Sequence, residues 1–245
     1  MNGKIDSAYL VGQMHLQRKE LCHDRTVSLV DDGRLVLALA DGMGHPQFRC
    51  PDIGAQFAVD FIAANNKEIH DLIDTHEGED GDLKEGLHKI LERMIAEAFE
   101  YSRKIGARLR DMSCTLSFCI IGPKMTIAAA IGDSPLYVET RNGLNFVYGN
   151  GEIGEADTHT ECAFNPRSIE ESMKVHVCPT DDVESVLMMS DGCLGYAKED
   201  ELRKFKEAMP EWFESVKSGE MDAEKLVLNL AKAGYDDCSI AYFIR

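Results

Sequence analysis

The stretch Leu35-Val36-Leu37-Ala38-Leu39-Ala40-Asp41-Gly42-Met43-Gly44-His45 constrains the fold of this chain more than any other. Six consecutive apolar residues read as a strand buried on both faces, which requires a covering layer on each side. The run stops at a carboxylate. An ionised Asp at the inner end of such a strand is costly unless positive charge meets it, and the nearby basic residues are only Arg34 and Arg49. A metal ion is therefore the natural partner. Gly42 and Gly44 let the backbone turn sharply and bring a carbonyl close to whatever Asp41 binds. An Asp-Gly turn would explain the stretch by itself. The same device recurs, however, at Ser190-Asp191-Gly192 after the apolar run Val186–Met189.

Chain totals bound the architecture and the partners. With 245 residues, 44% hydrophobic and 28% charged, the chain can bury a full-sized core as one domain spanning residues 1–245. A net charge of −17 lacks the basic face that nucleic acid or an anionic membrane needs. No stretch approaches the ~18 apolar residues of a membrane span, and Met1–Asp6 has no basic and apolar export segment. The eight cysteines form no Cys-x-x-Cys pair, and several lie in apolar runs. They read as reduced thiols rather than disulfides or a zinc site. The expectation is a cytoplasmic monomer that binds neither nucleic acid nor membrane.

Along the chain, Ala8–Gln13, Thr26–Asp31 and Leu35–Ala40 read as strands, the last two joined by a turn at Asp31-Asp32-Gly33. Residues 15–24 read as a polar loop. From Asp52, placed as an N-cap, Ile53, Phe57, Ala58, Phe61 and Ile62 recur at helical spacing. A second helix is expected from Leu83 to Arg108, with Leu87, Ile90, Leu91, Met94, Ile95 and Ala98 in one stripe. Strands follow at Ser113–Ile121, Met125–Ile131, Pro135–Thr140 and Leu144–Tyr148, with short turns that imply antiparallel pairing. Residues 149–173 read as a surface flap. Val175–Cys178, Val186–Met189 and Ser239–Ile244 are further strands, with helices between Glu199 and Ala233. Hairpin runs and helices gathered in two blocks make an α+β fold, with sheets packed on each other under outer helices.

Four carboxylates occupy comparable positions: Asp24 before a strand, Asp41 and Asp191 after strands, and Asp237 at the opening of the last strand. If those ends converge, the group needs cations to stay ionised. Oxygen donors select Mg²⁺ or Mn²⁺ over zinc. Two such ions ~3.5–4 Å apart hold a bridging water, lower its pKa and clamp a phosphoryl group for in-line attack.

Ordered motifs extend across almost the whole chain: Gly12, His15, Cys22-His23-Asp24, Ala40-Asp41-Gly42-Met43-Gly44, Gly132-Asp133-Ser134, Ser190-Asp191-Gly192 and Asp236-Asp237-Cys238-Ser239. Pro51-Asp52-Ile53-Gly54-Ala55 and Ser113-Cys114-Thr115 fit the same order. In this set the chain resembles the metal-dependent serine/threonine protein phosphatases of the type-2C family, in a bacterial-like form. The resemblance implies a four-layer α/β/β/α sandwich, two antiparallel sheets flanked by helices. It implies two Mn²⁺ or Mg²⁺ ions, with a third in some members, and phosphorylated proteins as substrates. Asp41 would bridge both ions, and the Gly42 carbonyl would bind one of them. Asp24 would serve the first site, and Asp191 and Asp237 would complete the other. Asp133, with Asp191, matches the carboxylates of the third ion. Asp41 and Asp191 would be the residues on which catalysis depends.

The chain departs from the family pattern at three places. Met43 stands where many members have a His proposed as general acid, and His45 is two residues on. Lys19, with Arg18 beside it, stands where members place a phosphate-binding Arg, and it lacks the planar fork. His23 replaces the usual acidic or amide neighbour of Asp24. His15 and His45 are each open to a role as ligand, acid or bystander. Two functions follow: hydrolysis of phosphoserine and phosphothreonine by a hydroxide bridging two ions, or a catalytically weak phosphatase-fold module that binds phosphoproteins. A different two-metal hydrolase, acting on nucleotides or nucleic acid, is disfavoured by the acidic surface.

Overall fold

The computed structural model describes residues 3–74, 80–149, 160–193, 210–231 and 236–245. In chain order the elements are β1 (Lys4–Leu10), α1 (Gln13–Arg18), β2 (Arg25–Asp31), β3 (Arg34–Ala40), α2 (Pro51–Ala64), α3 (Asn66–Asp74) and α4 (Asp80–Lys104). Next come β4 (Leu116–Ile121), β5 (Met125–Thr140), β6 (Gly143–Gly149), α5 (Pro166–Glu171), β7 (Lys174–Pro179) and β8 (Val183–Met189). Helical residues 210–218 form α6, followed by α7 (Ala223–Ala231) and β9 (Cys238–Ile244). Among the described residues the fold is mixed, helices on a large antiparallel sheet of nine strands in the order β1-β9-β8-β5-β4-β3-β2, with β6 and β7 also on β5.

β5 is the pivot of that sheet. Its first half pairs with β4 and β7, and its second half with β8 and β6. The register shifts between Gly132 and Leu136. Met125–Ile131 and Pro135–Thr140, expected as two strands, are thus one. Pro135 falls in the irregular stretch, where its missing N–H costs no ladder bond.

Among the described residues, three apolar clusters form the core. β3 is buried along its whole length. Its alternate residues divide between two clusters, as strand alternation dictates: Val36, Ala38 and Ala40 pack under α2 and α4, while Leu35, Leu37 and Leu39 meet Leu136, Val186, Met188 and Phe243. A third cluster joins Leu187, Met189, Ile240 and Tyr242 to Phe213, Leu226 and Val227 of α6 and α7. The α4 stripe packs as expected, with Leu87, Leu91, Met94 and Ala98 fully buried.

Several boundaries differ from the sequence expectation. Residues 13–18 form a short helix rather than strand or loop; His15 is its buried residue, and Lys19 ends it in the left-handed region (φ 59°). Asp52 lies in the first turn of α2, behind Pro51 and an N-cap at Cys50, so it favours the helix dipole rather than capping. α4 ends at Lys104, and Gly106 (φ 72°) follows. The irregular region 149–173 lies outside the described residues over 150–159, and its later part is core: Ala163, Phe164 and Ile169 are buried against α2 and α4. The eight cysteines are free thiols. Among the described residues, no helix is long and apolar enough to cross a membrane.

Candidate active site

Six strands bring their ends to one edge, and strand register shows how. β2 pairs with β3 so that Arg25 faces Ala40, which sets Asp24 beside Asp41. β3 aligns Leu39 with Ser117 of β4. The Thr115 N–H then donates to the Asp41 carbonyl at 2.8 Å, and Gly42 bridges to Cys114. β4 aligns Leu116 with Ile131, which carries Gly132-Asp133 to the same place. β8 and β9 pair Met189 with Ile240, so Asp191 leaves one strand where Asp236 and Asp237 enter the other. β1 completes the edge with Leu10 opposite Cys238.

Asp41, Asp133, Asp191 and Asp236 line one cleft of about 360 Å³, with Met43, His45, Thr115 and Thr160. Lys and Arg are absent from its described lining. The Asp41 N–H donates to Thr115 Oγ1 at 3.0 Å, and that oxygen lies 2.8 Å from Ser134 Oγ, which fixes the end of β3. Thr160 Oγ1 donates to Asp133 Oδ2 at 3.1 Å. Burial, and then the charges of Asp24, Asp191, Asp133 and Asp236, push the Asp41 carboxyl well above the usual carboxylate range. Asp24 lies beneath the cleft, 1% exposed. Burial pushes its carboxyl up to about 7, against the lowering effect of the Ser190 and Ser239 hydroxyls. Neither Asp24 oxygen makes a well-formed hydrogen bond. Carboxylates packed this closely share their charge only with cations present, and an all-oxygen donor set suits hard divalent ions. The residues fit the metals that the resemblance implies.

Asp237 is a correction. Its carboxylate turns from the cleft into the interior, where Oδ1 accepts the Gly12 N–H and Oδ2 the His23 N–H, each at 2.6 Å. Asp236, one residue earlier, takes the cleft position. Adjacent side chains at a strand start point to opposite faces, so only one of this pair can enter. The Asp236–Asp237 backbone is clamped between two glycines. A Cβ on Gly12 would overlap the backbone of both aspartates, and a Cβ on Gly192 would overlap the Asp237 carbonyl.

Arg18 and Lys19, expected at the substrate phosphate, are both exposed, and neither lines the cleft. α1 turns its buried face inward through His15 and leaves both cations on its outer end. His45 lines the cleft, whereas His15 and His23 lie behind it, their rings tilted at 49° with centroids 4.1 Å apart. Burial, then the proximity of His15, lowers the His23 pKa. Asp236, Thr115 and Thr160 are among the cleft residues to which the sequence reading assigned no role. The doubled Asp236-Asp237 was the available signal for the first, and Ser113-Cys114-Thr115 for the second. Thr160 carried none. A larger hollow, about 550 Å³ beside α2 and α4, contains none of these four cleft carboxylates; there Arg25 and Asp52 face each other at 3.8 Å.

The protein phosphatase 2C family model matches residues 11–231. Stp1, a serine/threonine phosphatase from Staphylococcus aureus, superposes with a TM-score of 0.64 at 15% identity, covering 99% of this chain and 95% of that one. The catalytic domain of the serine/threonine phosphatase PstP, solved with two manganese ions, gives 0.62 at 15% identity, covering 99% and 97%. A bacterial serine phosphatase gives 0.61 at 16%, covering 98% of each chain. No curated protein matches the chain in sequence. With its motifs in order, its carboxylates in one cleft and nine-tenths of its length matched, the chain belongs to the protein phosphatase 2C family, the metal-dependent serine/threonine protein phosphatases.

Proposed function

We propose that the cleft removes phosphate from phosphoserine and phosphothreonine in proteins, with Asp41 and Asp191 as the carboxylates on which turnover most depends. The observation that carries this reading is the meeting of Asp41, Asp133, Asp191 and Asp236 in one cleft whose described lining has no Lys or Arg. A phosphate dianion would be repelled from that surface without cations. Asp41 would hold both ions, with the Gly42 carbonyl and Asp24 on one side and Asp191 and Asp236 on the other. Asp133 and Asp191 would take a third ion. When bound, paired Mn²⁺ or Mg²⁺ supplies an acidified water and neutralises the phosphoryl oxygens.

The chain's own residues supply the rest. Thr115 fixes the backbone of Asp41, and Thr160 orients Asp133. His45 accepts the Gln47 N–H on Nδ1 at 3.3 Å, which leaves Nε2 to carry a proton toward the departing serine or threonine oxygen. This gives His45 the role that Met43 cannot fill. Asp237 takes no part in the ion shell, and Lys19 and Arg18 act at most as a charged rim.

The three apolar clusters support a four-layer α/β/β/α sandwich, with one antiparallel sheet on each half of β5, in a single catalytic domain spanning 1–245. The acidic chain supports phosphoproteins over nucleic acids as substrates, met by a monomer in the cytoplasm. A regulatory module without turnover would not need this complete carboxylate set, which favours hydrolysis. The test is phosphate release from a phosphothreonine peptide by the full chain. Release should require Mn²⁺ or Mg²⁺ and stop with EDTA; turnover that survives removal of all divalent ions overturns the reading.

A further inference from the structure

Behind the carboxylate cleft, α1, the 20–24 segment and the start of β9 meet at a second cluster of different chemistry. His15 is 1% exposed and Asp237 3%. One donor atom from each of His15, His23 and Asp237 lies within 4.8 Å of the others. His15 Nδ1 stands 2.8 Å from Asp237 Oδ2. Yet neither ring nitrogen of His15, nor Nδ1 of His23, makes a hydrogen bond of acceptable geometry. A buried imidazole nitrogen left unpaired bears its full desolvation penalty. Unpaired nitrogens on two imidazoles, with one donor atom of each ring within 4.8 Å of the Asp237 donor, have the form of a ligand set.

We propose that His15, His23 and Asp237 bind one borderline divalent cation of the Zn²⁺ class, at a site separate from the carboxylate cleft. The donor set decides the class. Two imidazoles and one carboxylate select zinc-like ions, whereas the all-oxygen cleft selects Mg²⁺ or Mn²⁺. Zn²⁺ bonds of ~2.0–2.1 Å in a tetrahedron place donors about 3.3 Å apart. That spacing falls between the 2.8 Å of the His15–Asp237 pair and the 4.8 Å limit of the cluster.

The surroundings are those of a held ligand set. Asp237 is fixed by the Gly12 and His23 N–H groups, which orient its carboxylate. Glu20 Oε2 stands 3.8 Å from His15 Nε2, beyond hydrogen-bond length but on the side of the ring where a carboxylate orients a metal-bound histidine. The ion would fasten α1 and the 20–24 segment to the start of β9. Through that link it would set Asp24 and Asp236 for the cleft, a structural rather than a catalytic role.

The test uses the full chain stripped of cations and titrated with Co²⁺, a spectroscopic stand-in for Zn²⁺. The proposal expects the intense visible bands of tetrahedral Co²⁺, saturating at one equivalent. They should be unchanged in Asp41→Asn/Asp191→Asn, which weakens the cleft, and lost in His15→Gln/His23→Gln. Weak octahedral bands alone overturn it, as do tetrahedral bands that vanish with the cleft variant or persist without the histidines. Thermal melting of the unaltered chain guards against a double-histidine variant that fails to fold. Stoichiometric Zn²⁺ should raise its midpoint, and in Asp41→Asn/Asp191→Asn by a similar amount; no rise in either overturns the proposal.

Discussion

Asp236 and Asp237 are neighbours in sequence and opposites in circumstance. Asp236 lines an open cleft with Asp41, Asp133 and Asp191. Asp237 is 3% exposed and bonded to two backbone N–H groups, with His15 beside it. The first sits among like charges, where a bound cation would lower its energy. The second has its charge met by the protein itself, as a buried carboxylate must. One peptide plane therefore joins a region of crowded like charges to one where the carboxylate is held by backbone N–H groups. Replacing residues on each side should separate the two roles.

The largest effect is expected at the shared carboxylates of the cleft. Asp41→Asn or Asp191→Asn should lower Mn²⁺-dependent phosphate release by about 10³-fold, since each removes charge from the point where the phosphoryl group is met. Melting of the metal-free protein should stay level or rise, because a repelling charge has gone. A variant with near-normal turnover would take that residue out of the ion shell.

The neighbouring aspartates give the sharpest contrast. Asp236→Asn should cost about 10²-fold in turnover with little change in stability. Asp237→Asn should cost about 3 kcal/mol of stability by urea unfolding, since it weakens a buried charge interaction, and should lower turnover less. The reverse pattern would restore Asp237 to the ion shell. His45→Ala comes next, with an expected loss of about 10²-fold in kcat and little change in KM. If kcat is unchanged, the proton reaches the leaving oxygen another way.

A pH series on the metal-free chain tests the strained side directly. Asp24 is raised to about 7 by burial, and Asp41 is raised as well by burial and its acidic neighbours. The folded state therefore holds protons that the unfolded chain has already released. That stability is fully present below the unfolded pKa of roughly 3.9 and is lost as pH rises through about 7. Metal-free melting should fall across this window by the equivalent of a few kcal/mol, and saturating Mn²⁺ should remove most of the fall. A flat profile without metal would mean that the carboxylates are not crowded. Lys19→Ala, exposed and outside the cleft lining, should change kcat/KM by about twofold at most, and salt should shrink even that.

Much of this was readable from the chain because it depended on local pattern. The apolar run ending at Asp41 required a strand with cover on both faces, and β3 is buried at every position. The α4 stripe and the hairpins were legible for the same reason. Three things were not. The run Met125–Thr140 looked like two strands because Gly132 and Pro135 punctuate it, yet pairing with four other strands carries it through. The helix at Gln13–Arg18 is too short to show a period, and only His15 of its six residues is buried. The choice between Asp236 and Asp237 depends on which face the chain turns at the start of β9. That is fixed by Gly12 and Gly192, distant in sequence and pressed on the same peptide.

Anomalous diffraction at the manganese edge, from crystals of the full chain grown with Mn²⁺, tests the central claim most directly. Two peaks about 3.5–4 Å apart are expected between Asp41, Asp191 and Asp236. Peaks ligated by Asp237 in place of Asp236, or a cleft without manganese, would contradict it.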